Sequence, residues 1–400
     1  MKILIINSVC ASGSTGRICL NLAKAAENAG NVCRIAYGRH TFVPDEYKRF
    51  SHQIGSSADV RLHALHTRLS DRHGFASAAA TKEFISWVRE FDPDIIHLHN
   101  IHGYYINIEQ LFNYIKEANK PVVWTLHDCW SFTGHCAHFD YIGCEKWKSG
   151  CYDCKQKRRY PQSLFIDNSR ANWQKKRELF SGVKKMQIVT PSYWLADKVK
   201  DSFLSGYPVE IINNGIELNI FKKRESSFRE HYNLRGKKLI LAVSSVWEER
   251  KGLDDYIRLS EILPEEYKLI MVGVSAKQAE HLPKSILAIE HTDSQTQLAE
   301  IYSAADIFLN LTYEDTYPTV NLEAIACGTP LVTYNSGGSA EIAEENNGII
   351  LNDNSFDNIT EIFEEALRID SDELIRLSEK FDSSLSNEKY LKLYSDLYKN

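Results

Sequence analysis

No apolar run in this 400-residue chain approaches the roughly 20 residues that a membrane-spanning helix needs. The opening MKILIINSVCAS has one lysine and a short apolar run, which imitates a weak signal peptide. A glycine-containing turn and an amphipathic pattern follow it, so it reads as a first buried strand. Positive charge is not in excess: 47 Lys and Arg stand against 53 Asp and Glu, net −6, and nothing in that balance points to nucleic acid. The turn after the first strand lacks the G-x-G-x-x-G spacing, which weakens a nicotinamide reading. What remains is a chain with 43% hydrophobic and 25% charged residues, long enough for two to three domains and a large core without staples. A cytoplasmic, reducing setting follows, in which the nine cysteines are thiols or metal ligands rather than disulfides.

Buried-strand patterns alternate with amphipathic ones. In the first half the strands are expected at 2–8, 32–37, 94–100, 121–127 and 187–191, the last closing the first domain. Ile18, Leu22, Ala25, Ala26 and Ala29 follow helical spacing, and Gly30 stops that helix. Gly13 and Gly16 stand in the turn between strand and helix, where small residues let a phosphate approach or simply allow a tight turn. The strand at 94–100 carries His97 and His99, each read as a hydrogen-bonded strand-end residue. The strand at 121–127 ends in His127 and Asp128. A second set of strands, at 238–244, 269–272, 306–310 and 331–334, describes another βα unit.

The stretch that organises the chain is 313–341, YEDTYPTVNLEAIACGTPLVTYNSGGSAE. Pro318 disfavours helix at Tyr317 and suits a helix start, while Gly328 suits its end. Asp315 then lies in the loop before the helix and Glu323 inside it, eight residues on. Two carboxylates so spaced can accept hydrogen bonds from hydroxyls at different points of one polyol. The free N–H groups of the helix start, at Thr316, Tyr317 and Thr319 on either side of Pro318, favour an anionic ligand. Upstream, Arg250-Lys251-Gly252 in a strand-to-helix loop suits a diphosphate: two cations, one bidentate, and a glycine that permits close approach.

The 313–341 segment resembles the donor-sugar motif of the retaining GT-B glycosyltransferases of the family 4 type, and P-S-x-W … N-N-G at 191–215 resembles that family's interdomain crossover. The resemblance implies two Rossmann-like α/β domains with a ligand cleft between them: residues 1–205, an acceptor-side domain with an insertion at 129–154; 206–380, a donor-binding domain; and 381–400, a helix that returns to the first domain. It implies a nucleoside-diphosphate sugar as donor, a glycan or lipid-linked oligosaccharide as acceptor, and no catalytic metal. Glu323 would hold the ribose and Asp315 or Glu314 the sugar hydroxyls. Lys251 and Arg250 would neutralise the leaving diphosphate, with His127 beside the reacting sugar and Gly13 and Gly16 near the diphosphate or acceptor. An arginine that relatives carry five residues before the lysine is Val246 here.

Two features lie outside that scheme. Five of the nine cysteines fall within 129–154, and Cys136, Cys144, Cys151 and Cys154 are spaced for a structural zinc, with Phe139 and Trp147 as a small core around it. Unpaired thiols, disulfides or an iron–sulfur cluster are the alternatives. Residues 155–185 hold ten Lys and Arg against Asp167 and Glu178, interleaved with Tyr160, Phe165, Trp173 and Phe180. This is either a solvated helix face or a docking surface for anionic membrane lipid, on the cytoplasmic side of the inner membrane, or for a lipid-diphosphate acceptor, with nucleic acid a third reading. The reading adopted is a retaining glycosyltransferase of cell-surface polysaccharide biosynthesis. A nucleotide-sugar epimerase of the same architecture and a zinc-stabilised binding module are the alternatives.

Overall fold

The computed structural model describes residues 1–39 and 41–399. The chain divides into two compact units, Met1–Asn213 with Ser386–Asn400, and Asn214–Leu385.

The first unit is built on seven strands: β1 (Lys2–Asn7), β2 (Val32–Tyr37), β3 (Ser51–Gln53), β4 (Ile95–Leu98), β5 (Val122–Thr125), β6 (Met186–Thr190) and β7 (Val209–Ile211). Their order is β3-β2-β1-β4-β5-β6-β7, with every pairing parallel. Parallel strands need crossover helices, so both faces of the sheet are covered and the strands are apolar throughout rather than alternating. In β1, Leu4 and Ile6 join one core while Ile3 and Ile5 join the other. The strand at 187–191 is not the last of this unit. β7 pairs with β6 through Ile188↔Val209, so the sheet continues past residue 205.

The second unit repeats the plan with β8 (Lys238–Val243), β9 (Tyr267–Val272), β10 (Ile286–Ile289), β11 (Ile307–Asn310), β12 (Leu331–Tyr334) and β13 (Gly348–Leu351). The order is β10-β9-β8-β11-β12-β13, again all parallel. Leu239 and Leu241 of β8 face one core, Ile240 and Ala242 the other. Strand order reverses between β1 and β4 in the first sheet and between β8 and β11 in the second. Open α/β sheets bind ligands outside the carboxyl ends of the strands at such switch points.

The helix Ser383–Lys399 carries the chain back into the first unit. Tyr390, Leu393 and Tyr394 pack with Ile3 and Ile5. The Tyr394 hydroxyl lies 2.5 Å from His97 Nδ1 and the Tyr390 hydroxyl 2.9 Å from Thr125 Oγ1. His97, whose Nε2 also bonds Thr125 at 2.8 Å, is therefore a fully used core histidine.

Candidate active site

In the second unit, the loops after β8, β11 and β12 converge. Gly252 ends the Arg250–Lys251 turn with φ +73, and a Cβ there would stand 2.2 Å from the Leu311 carbonyl oxygen, so only glycine lets this loop close on the end of β11. The Tyr313 amide donates to the Arg250 carbonyl at 2.9 Å, and Arg250 Nη1 donates to the Glu314 carbonyl at 2.7 Å. Lys251 Nζ pairs with the Asp315 carboxylate. Burial pulls the Lys251 ammonium below its ordinary value while Asp315 pulls it back up. Gly337 of the following turn abuts the same residue: its φ is +53, a Cβ would meet the Asp315 carbonyl oxygen at 2.2 Å, and the Gly338 amide donates to that oxygen at 2.8 Å.

Pro318 caps the helix Thr319–Ala326, and Gly328 follows its end with φ +80. The Tyr317 carbonyl accepts from Asn214 Nδ2 at 3.2 Å. Glu323 is buried and accepts from the Tyr302 hydroxyl at 3.1 Å. Glu314 is fully buried, whereas the Asp315 side chain keeps 21% of its surface. A buried polar network holds these parts together: Asn310 Nδ2 donates to Asn321 Oδ1 (2.7 Å), Asn321 Nδ2 to Ser339 Oγ (2.9 Å), and Ser339 meets Thr333 Oγ1 at 2.8 Å. One chain of bonds thus ties β11, the helix start, the glycine turn and β12.

In the first unit, His127 and Asp128 follow β5, and His99 follows β4. His127 Nε2 lies 2.8 Å from His99 Nδ1 with the rings nearly parallel. Burial brings the His127 imidazolium down to about 4 and His99 well below its ordinary value. Asp128 Oδ2 pairs with His102 Nε2 at 2.8 Å, Asp128 Oδ1 accepts the Trp130 amide at 2.8 Å, and His102 Nδ1 meets the Tyr160 hydroxyl at 2.9 Å. Burial alone would raise the Asp128 carboxyl, but His102 beside it holds it well below the usual range. The loop is held in a strained form: Tyr104 has φ +70, and the Gly103 amide donates to His73 Nε2 at 3.2 Å. His99, His102, His127, Asp128, Trp130 and Ser131 line a small cavity here. His99 Nε2, Trp130 Nε1 and Ser131 Oγ are buried without a partner among the described residues. Gly13 begins the helix Gly13–Asn28 rather than a separate turn, and Gly16 sits in its first turn, where a Cβ would come within 3.1 Å of Val9.

The model described as Glycosyltransferase Family 4 matches residues 15–220, and that described as Glycosyl transferases group 1 matches residues 224–383. The chain belongs to glycosyltransferase family 4. Its fold is GT-B, two Rossmann-like domains. A full-length relative, named for colanic acid biosynthesis as the glycosyl transferase WcaC of Escherichia coli (strain K12), is 25% identical over 422 residues covering 100% of each chain. The N,N'-diacetylbacillosaminyl-diphospho-undecaprenol alpha-1,3-N-acetylgalactosaminyltransferase of Campylobacter jejuni is 23% identical over 44% of this chain and 50% of its own. Among solved structures, sucrose-phosphate synthase from Thermosynechococcus elongatus superposes with TM-score 0.72 at 16% identity over 99% of both chains. Anabaena HepE in complex with UDP-glucose superposes with TM-score 0.66 at 15% identity, covering 99% of this chain and 100% of its own.

Within this family member, the zinc site expected in the cysteine-rich insertion gains no support. No three His, Cys, Asp or Glu side chains among the described residues are arranged to hold a metal ion. Apolar packing holds the segment instead: Phe139 stacks on Trp147 at 4.8 Å, and Phe132 lies 5.3 Å from Trp147. The Cys136 and Cys154 thiols hydrogen-bond each other, which brings Cys154 down to about 7 and raises Cys136. Nor is 155–185 one cationic face. Lys176 is buried over the Trp130 ring, donating to the Trp130 and Thr133 carbonyls at 2.7 and 3.0 Å, and Lys175 pairs with Glu109 at 2.9 Å. His102, Tyr302 and Asn321 had no sequence signal of their own, because each acquires its place from a partner in another segment of the chain.

Proposed function

We propose that this glycosyltransferase moves a sugar, with retention of anomeric configuration, from a nucleoside-diphosphate sugar to a glycan or lipid-linked acceptor in cell-surface polysaccharide biosynthesis. With a lipid-linked acceptor its place of action is the cytoplasmic face of the inner membrane. One observation carries the reading: Lys251, Arg250, Asp315 and the Glu323 helix meet at the ends of adjacent strands, cations beside a loop of acids. Glu323, oriented by Tyr302, holds the ribose. Asp315, whose carboxylate reaches the surface where Glu314 is enclosed, takes the sugar hydroxyls. Lys251 and Arg250 leave their present partners for the diphosphate. In the transfer the bond from the anomeric carbon to the phosphate oxygen breaks, the acceptor oxygen bonds that carbon, and the acceptor proton passes to the leaving diphosphate. Fixed cations at the growing negative charge supply electrostatic stabilisation without reorganisation, of the order of 3–4 kcal/mol per donor in measured cases.

In the first unit, the ionised Asp128 held by His102 accepts a hydrogen bond from an acceptor hydroxyl, with His127 beside it. The other family-scheme contacts, Gly13 and Gly16 near the diphosphate or acceptor and the N–H groups of Thr316, Tyr317 and Thr319 beside Pro318, complete the assignment. The deciding experiment is a thermal-shift panel of UDP-, GDP- and dTDP-sugars followed by product analysis. A preferred donor raises the melting temperature because it binds the native state alone. Release of an altered nucleotide sugar without any acceptor would make the protein an epimerase instead.

A further inference from the structure

The helix Ser57–Ser70 packs Val60 on the core yet leaves a leucine stripe outside. At about 100° per residue its two faces are nearly opposite. One carries His63 and Thr67, which are buried; the other carries Leu62, Leu65 and Leu69, which are 65%, 52% and 49% exposed. The buried polar side chains are satisfied: His63 Nδ1 lies 2.9 Å from Ser77 Oγ, and its Nε2 accepts the Gly74 amide at 3.1 Å. The orientation is therefore held by specific bonds and is not a loosely packed end. A capping box of Ser56 and Asp59 fixes the helix start.

A second apolar tip lies against this helix. The Leu164 amide donates to the Arg68 carbonyl at 2.9 Å and Asn168 Nδ2 to the Ser70 carbonyl at 2.7 Å. Between these anchors Leu164, Phe165 and Ile166 project, with Phe165 74% exposed. The tip is itself folded, Ser163 Oγ donating to the Ile166 carbonyl at 2.7 Å. Stretches 56–72 and 151–170 together hold eight Lys and Arg against four acids, in a chain whose net charge is −6. Three of those acids are engaged in structural bonds: Asp59 in the capping box, Asp71 to His135 and the Asn168 amide, and Asp167 to the Cys154 and Ser169 amides.

We propose that this face docks on an anionic bilayer, with the leucine stripe and the 164–166 tip entering the boundary between headgroups and acyl chains and the surrounding Arg and Lys on lipid phosphates. Contiguous exposed apolar side chains framed by cations are what such a boundary takes, and it demands no complementary shape. Tyr160, four residues before the tip, hydrogen-bonds His102 of the strand-end cavity, so a lipid-linked acceptor would be presented next to Asp128. The link to acceptor delivery rests on the transferase reading; the docking itself is measured without turnover.

The test is sedimentation of the full chain with vesicles of phosphatidylcholine alone and of 70:30 phosphatidylcholine and phosphatidylglycerol. The wild type is expected to sediment with the anionic vesicles, less so as NaCl rises. Leu65→Asp with Phe165→Asp, and separately Arg61→Glu with Arg68→Glu, should weaken partitioning at least tenfold. Ile262→Asp, an exposed apolar site on the second unit, should leave it unchanged. Wild-type protein left in the supernatant, wild-type partitioning by both double variants, or an equal loss in Ile262→Asp overturns the proposal, as does concentration-dependent self-association abolished by the same variants. If vesicles bind but no nucleotide sugar shifts the melting temperature, the transferase reading falls and the docking surface stands.

Discussion

Lys251 is caught between burial, which disfavours its charge, and Asp315, which preserves it. A diphosphate arriving there replaces one anionic partner with a stronger one, which is why the side chain can be held in readiness without being left as a bare buried cation. Lys251→Ala and Glu323→Ala are each expected to lower transfer at least tenfold, about 1.4 kcal/mol of transition-state stabilisation, with the fold intact by circular dichroism. Wild-type turnover in either variant would remove the site assignment. Tyr302→Phe should act more gently and on the donor side, raising the KM for the nucleotide sugar, since it loosens the Glu323 carboxylate without removing it. Asp128→Asn should behave oppositely: the donor-induced thermal shift stays, and acceptor-dependent turnover falls. Because Lys251 and Arg250 supply the charge assigned to them, turnover is expected to persist in EDTA; its loss there would show that the cations do not suffice.

The elements that position these residues hold one another through long-range bonds. The Ser383–Lys399 helix is the clearest, because Tyr390 and Tyr394 reach beneath β4 and β5, whose ends carry His99 and His127. Tyr394→Phe leaves the buried His97 Nδ1 without its hydroxyl, a loss of about 1–3 kcal/mol that a urea titration would read. Truncation after Leu385 removes Tyr390, Leu393 and Tyr394 from the core that they share with Ile3 and Ile5, and the first unit should then bind a hydrophobic dye and unfold at lower temperature. Unchanged unfolding in both cases would mean the helix merely rests on the sheet. The Ser57–Ser70 helix shows the converse, with a leucine face that the fold leaves uncovered.

For the molecule as a whole, acid should act on the first unit. Burial lowers the imidazoles of His63 to about 3 and His127 to about 4, and holds those of His73, His97 and His99 well below their ordinary value, all in Met1–Asn213. Against an unfolded value of about 6.5, the folded state binds fewer protons. The stability tied to these groups is full above 6.5 and falls as pH drops toward the folded values, by up to about 1.4 kcal/mol per pH unit for each. His135 runs the other way, its pairing with Asp71 raising it, so its contribution is present below 6.5 and lost as pH rises through its folded value. Calorimetry between pH 7 and pH 5 should show a falling melting temperature for the first unit; a flat profile would contradict the burial of these rings. The alternation of strands and helices was legible in the sequence because it depends on neighbours two to four residues apart, and the 313–341 segment because its turn, helix start and acids lie in one local run. The cysteine spacing was legible too, and Cys136 does lie near Cys144, Cys151 and Cys154, but no group among the described residues is arranged to hold a metal ion, which spacing alone cannot decide. The Asp128–His102–Tyr160 chain, the Tyr302 bond to Glu323 and the outward leucines of 57–70 were decided by tertiary structure alone. Each depends on which surfaces the sheets cover and on partners brought together from distant parts of the chain, and no local pattern records that.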